Sequence, residues 1–95
     1  MGNISDITVY QIENMQHAIG FDKSRVTGIK HRVMHCYRNY FCTDKDDKNW
    51  LDLVERGLAR MGIPDKNGIV YFGLTGEGFK FLANLCGLER MYEID

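Results

Sequence analysis

The chain has 95 residues, 44% of them hydrophobic and 12% aromatic, with a single proline; this excludes wholesale disorder and a linker-joined, multi-module chain, and points to one domain over residues 1–95. Lys and Arg total 12 against 13 Asp and Glu, a formal charge of −1, and that near-neutral balance favours a protein-contacting role. Cys36, Cys42 and Cys86 have no CxxC spacing and are odd in number, so they read as reduced cytoplasmic thiols.

No run is long enough to span a membrane, and the N-terminus lacks the basic and apolar pattern of a secretory signal. Met1-Gly2 is followed by Asp6 where a myristoylation signal needs Ser or Thr. The expected compartment is the cytoplasm.

The first helix is expected over residues 3–20, capped by Ser5 or Asp6 and ended by Gly20. Thr8, Ile12, Met15 and Ile19 form its apolar stripe with Val9 beside it, leaving Gln11, Glu13, Asn14, Gln16 and His17 on the other faces. From Asp22 to Lys45 the chain turns basic: Lys23, Arg25, Lys30, Arg32, Arg38 and Lys45 stand against Asp22 and Asp44. Val26, Ile29, Val33, Tyr37 and Tyr40 fit a helical stripe. Val33, Tyr37 and Phe41 also suit a strand, and Gly28 costs a helix about 1 kcal/mol. The expectation is a helix over part of 24–36 and an extended or irregular segment from Tyr37 to Thr43.

Trp50, Leu53, Val54, Gly57, Leu58 and Met61 mark a second amphipathic helix, with Asp52, Glu55, Arg56 and Arg60 opposite. Thr43 with Asp46 resembles a capping box, and Gly57 fits the position just past the helix end, with Leu58 folding back. Residues 59–63 and 69–74 flank Pro64-Asp65-Lys66-Asn67-Gly68, a turn signal, so they read as a hairpin. Thr75 caps a last helix carrying Phe79, Leu82, Leu85 and Cys86, and Gly87 ends it. The tail from Leu88 to Asp95 either extends that helix or covers a partner with Met91, Tyr92 and Ile94. Helix, two-stranded wing and helix give an α+β fold class: a small winged-helix-like domain of three or four helices.

Four segments carry a resemblance: His17-Ala18-Ile19-Gly20, Tyr37-Arg38-Asn39-Tyr40-Phe41, Leu53-Val54-Glu55-Arg56-Gly57-Leu58 and Phe72-Gly73-Leu74-Thr75-Gly76-Glu77-Gly78. Together, over roughly residues 15–86, they resemble a group of short, uncharacterised phage and prophage proteins. Those proteins share a His-x-Leu-Gly, Arg-Asn-x-Phe, Leu-Val-x-x-Gly-Leu, Val-Thr-x-x-Gly skeleton. The chain departs from it with Ile19 for Leu, Leu74 for Val and a longer basic segment before Tyr37. The resemblance implies a phage or prophage setting and no activity. The half after Trp50 also looks like the end of a winged-helix regulator, which would make the helix before Gly57-Leu58 a recognition helix and the hairpin a wing.

That helix begins Asp44-Lys45-Asp46-Asp47-Lys48-Asn49, and its acids oppose a duplex groove. The better cationic surface is Lys23 to Arg38, with Tyr37, Asn39 and Tyr40 available to stack or hydrogen-bond. The candidate nucleic-acid-binding residues are therefore Arg25, Lys30, Arg32, Arg38 and, at the wing tip, Lys66; the bland alternative is a solvated face. His31 and His35, four apart, could begin a metal site with Cys36 or Cys42, but no remaining ligands stand at suitable spacing and Lys30 and Arg32 would repel a cation. Exposed or partner-bonded histidines are the expectation.

A Cys36 or Cys42 pairing with His35 or His17 lacks any nucleophile elbow, and Gly73 to Gly78 lacks the phosphate-loop ending. Arg38-Asn39, flanked by aromatics, suits structural anchoring better than a contact surface. No catalytic residue, cofactor, metal or small-molecule substrate is expected. The leading function is a non-catalytic, protein-contacting module, homodimerisation included; the alternative is a small winged-helix DNA-binding or regulatory protein. They separate on whether Arg25, Arg32 and Arg38 share one exposed face beside the wing or are consumed by Asp46, Asp47 and Glu55.

Overall fold

The computed structural model describes residues 6–28 and 32–93. Helix α1 spans Val9–Ile19 and starts one residue after Thr8, whose hydroxyl accepts from Gln11 N at 3.1 Å while Thr8 N donates to Gln11 Oε1 at 2.9 Å. This reciprocal capping box replaces the expected cap at Asp6, and Ser5 lies outside the described residues. Gly20, at φ 65°, closes the helix as expected. Met15, Ala18 and Ile19 are buried, whereas Val9 is 71% exposed. Gln11 is buried through contacts made across the domain.

The basic segment corrects the helical expectation. Lys23–Arg25 is one 3-10 turn, followed by strands β1 (Val26–Thr27) and β2 (Val33–Cys36); Ile29, Lys30 and His31 lie outside the described residues. Met34 and Cys36 are buried, while His35 and Tyr37 are exposed. A two-residue period with a β-branched start won over the looser helical stripe. β1 pairs antiparallel with β2, and β2 pairs parallel with β6 (Arg90–Glu93). The tail is thus not a helix extension but an intrachain strand, with Met91 buried beside Met34; Ile94 lies outside the described residues.

Strand β3 (Phe41–Asp44) leads into α2 (Lys48–Glu55), then β4 (Ala59–Met61), β5 (Ile69–Leu74) and α3 (Gly76–Leu85). The α2 cap is Asp47, whose carboxylate accepts from Asn49 N and Trp50 N and also from Thr43 Oγ1 at 3.0 Å, so Asp46 is not the capping partner of Thr43. Gly57, at φ 80°, follows the helix end, and Met61, expected on the helix, is the last residue of β4. Thr75 caps α3, accepting from Gly78 N at 3.1 Å. Gly78 is held to glycine by packing: a Cβ there would come within 2.1 Å of Leu58 O.

The hairpin is real, with Ala59 opposite Leu74 and Met61 opposite Phe72, but it is not a wing. β3 pairs along the other edge of β5, giving an antiparallel sheet in the order β3-β5-β4 beside the separate β1-β2-β6 sheet. Among the described residues, three α-helices and six strands in two three-stranded sheets overturn the winged-helix expectation. The core centres on Trp50, which is fully buried, stacked on Phe72 at 5.5 Å between ring centroids and tilted at 38° against Phe41 at 5.2 Å, with Leu53, Val70, Leu74 and Leu82 also buried. Among the described residues no helix is long and apolar enough to cross a membrane.

Candidate nucleic-acid interface

Strand alternation sorts the β1-β2-β6 sheet into two faces. Val26, Met34, Cys36 and Met91 turn inward, leaving Arg25, Thr27, half-buried Val33, His35, Tyr37, Arg90 and Tyr92 on the outer side. The outer groups touch one another. The Arg25 guanidinium lies 4.4 Å above the Tyr37 ring and that of Arg90 lies 4.7 Å from the Tyr92 ring. His35 and Tyr92, opposite each other on parallel strands, have ring centroids 4.6 Å apart and are joined from the Tyr92 hydroxyl to His35 Nε2 at 2.5 Å.

Arg25, Thr27, His35 and Tyr37 line a recess of about 230 Å³. No carboxylate is among these outward residues. The Asp22 carboxylate, near Arg25, is held below its usual range mainly by accepting from the backbone and hydroxyl of Ser24. Glu93 stands opposite buried Cys36 and accepts from Asn39 Nδ2 at 3.2 Å.

Of the five expected nucleic-acid-binding residues, one is in this face. Arg25 belongs to it; Lys30 lies outside the described residues. Arg32 directs Nη1 toward Gly87 at the exit of α3, while its carbonyl accepts from Glu89 N at 2.7 Å. Arg38 is a clamp: Nη2 donates to His17 O at 2.6 Å, holding a last-turn carbonyl of α1. Lys66 sits at the exposed β4–β5 turn of the other sheet. The three arginines are therefore neither one face beside a wing nor consumed by Asp46, Asp47 and Glu55.

The sequence points to Tyr92 only as a partner-covering residue and does not single out Arg90; both reach the site through β2–β6 pairing. Their signal was the alternation of Arg90 and Tyr92 with the apolar Met91. Tyr37 is expected from the sequence as a stacking group, and His35 as an exposed or partner-bonded histidine in preference to a metal ligand; it is exposed and bonded to Tyr92. Among the described residues no three His, Cys, Asp or Glu side chains gather as a metal site.

Asn39 is structural, as its pairing with Arg38 suggested: buried, its Oδ1 accepts from Leu74 N at 2.7 Å and its Nδ2 donates to Leu74 O at 3.0 Å. Burial pushes the Cys36 thiol up to about 11, the reverse of nucleophile activation. Gly73 serves packing, since a Cβ there would stand 2.9 Å from Asn39 O.

No family model, curated protein or solved structure matches the chain. The outer face is read from its own geometry.

Proposed function

We propose that the protein is a small nucleic-acid-binding module that uses the outer face of the β1-β2-β6 sheet. One observation carries this: the contacting side chains of that face are two arginines, two tyrosines and a histidine, each arginine against a tyrosine ring, with no acid among them. Cations supply the phosphate attraction that dominates nucleic-acid affinity, and exposed rings supply base contacts. The near-neutral chain thus has a local site of the right sign. The phage or prophage resemblance and the free cysteines Cys36, Cys42 and Cys86 support a cytoplasmic setting for this role.

Fluorescence anisotropy with labelled nucleic acid at about 50 and 200 mM salt tests the reading; two phosphate contacts predict roughly a tenfold loss of affinity between them. Replacing Arg25 and Arg90 by glutamate should abolish binding without unfolding the protein. Absence of binding by the intact chain at low salt would refute the proposal.

A second reading, a protein-contacting module that includes self-association, is favoured by the open face of the β3-β5-β4 sheet. There Tyr40 and Tyr71 are 53% and 58% exposed and meet edge to face at 5.7 Å. Sedimentation velocity over a wide concentration range, with Tyr71→Lys as the disrupting variant, distinguishes a dimer from a monomer.

A further inference from the structure

We infer that the nucleic acid taken by this face is single-stranded, its bases stacking on Tyr37, His35 and Tyr92; the inference rests on the nucleic-acid-binding reading above. A duplex buries its base faces against one another and offers phosphates and groove edges, for which an inserted helix or ribbon is the matching element. The outer face of β1-β2-β6 is instead the broad side of a sheet, with strands about 4.8 Å apart. Its ring faces would have no use against a duplex, whereas an unpaired strand exposes bases that stack on tyrosine and histidine whatever their sequence. Helix α2 does not offer the alternative: Asp46 and its cap Asp47 stand just before its first turn.

The rings are contiguous. Tyr37 follows the end of β2, two residues along the chain from His35, and Tyr92 lies beside His35 on β6, so the rings form an angle centred on His35, with Arg25 against Tyr37 and Arg90 against Tyr92. Each guanidinium is planar, weakly hydrated and already against its ring, so a base stacked there brings its own phosphate within reach of a cation. Beside Tyr37, the recess of about 230 Å³ is lined by the polar groups of Thr27, His35 and Arg25, which can meet the edge of one base turned off the rings. Tyr37 is 65% exposed with Arg25 over one ring face, so the rest of its ring is open to a ligand.

The experiment compares a labelled short oligothymidylate with a blunt duplex of the same length, using the full chain at low salt. The expected result is tighter binding of the single strand, weakened by about five- to a hundredfold in Tyr37→Ala and in Tyr92→Ala, with weak duplex binding unchanged and Tyr37→Phe close to wild type. Circular dichroism melts of each variant separate lost binding from lost folding. Equal affinity for duplex, or tyrosine variants that bind like wild type while Arg25→Glu and Arg90→Glu weaken both ligands, overturns single-strand stacking and leaves nucleic-acid binding standing. Failure of both ligands to bind overturns the two together.

Discussion

Asn39, in the link between β2 and β3, pairs its amide with both backbone groups of Leu74, as a neighbouring strand would, and reaches Glu93 on β6. One side chain therefore ties the β3-β5-β4 sheet to the β1-β2-β6 sheet. Arg60 Nη1 adds a second bond to Leu74 O at 2.6 Å, so that carbonyl keeps a partner if Asn39 is removed, whereas Leu74 N loses the acceptor shown for it. Asn39→Ala should cost about 1–3 kcal/mol, the penalty of a buried group left unsatisfied, read from the urea midpoint; a midpoint equal to wild type would remove Asn39 from the joint. Trp50 poses a different test. It is fully buried, yet its Nε1 has no hydrogen-bond partner among the described residues. Trp50→Ala should cost about 3–5 kcal/mol through the cavity it leaves. Trp50→Phe should cost less than about half of that, because it also removes a buried donor worth about 1–3 kcal/mol when unsatisfied. Equal losses in the two variants would mean that the indole N–H is satisfied in solution.

Helix ends were the most legible elements. Gly20, Gly57 and Gly87 all take positive φ near the ends they were read to mark, because a left-handed residue there is a local requirement that glycine meets cheaply. Thr75 was read as a cap for the same local reason. Asp47 was nearly legible: the acidic run was seen, but its neighbour was chosen as the capping partner. Asp47→Ala should therefore cost about 1 kcal/mol, with Asp46→Ala close to neutral, in paired thermal melts; the reverse order would return the cap to Asp46. The β4–β5 hairpin was legible from its Asn-Gly turn. Its third strand was legible only as an extended or irregular segment from Tyr37 to Thr43; its pairing was not, since Phe41 meets Phe72 from 31 positions away, and no local signal encodes that pairing. β2 and β6 were hidden for the same reason: they are short, parallel and joined only through the whole C-terminal half. Half of the candidate face was consequently readable as Arg25, His35 and Tyr37, while Arg90 and Tyr92 needed the topology.

Across the whole molecule, charge is arranged so that stability and the proposed site are separable. The carboxylate that ties α1 to α2 is far in sequence from its partner: Gln11 Nε2 donates to Asp52 Oδ2 at 2.8 Å, and Arg56 Nε donates to the same oxygen at 2.8 Å. These bonds, Gln11 first and then Arg56, hold the Asp52 carboxyl below its ordinary 3.8. In an unfolded chain Asp52 takes up its proton near 3.8, while the folded protein resists until lower pH. The stabilisation from ionised Asp52 is thus present above 3.8 and lost as pH falls through the folded value. Cys36 sets the opposite limb. Burial raises its thiol from 9.0 to about 11, so the unfolded chain releases this proton first, and stability declines as pH rises from about 9 to 11. A urea-unfolding series across pH should show both limbs. In Asp52→Asn the deficit against wild type should be fully developed above 3.8 and close as the solution becomes more acid; in Cys36→Ala the alkaline decline should flatten. A constant Asp52→Asn deficit down to the acid transition would mean that the Gln11 and Arg56 bonds stabilise the protonated carboxyl equally, and that the α1–α2 joint does not depend on its charge.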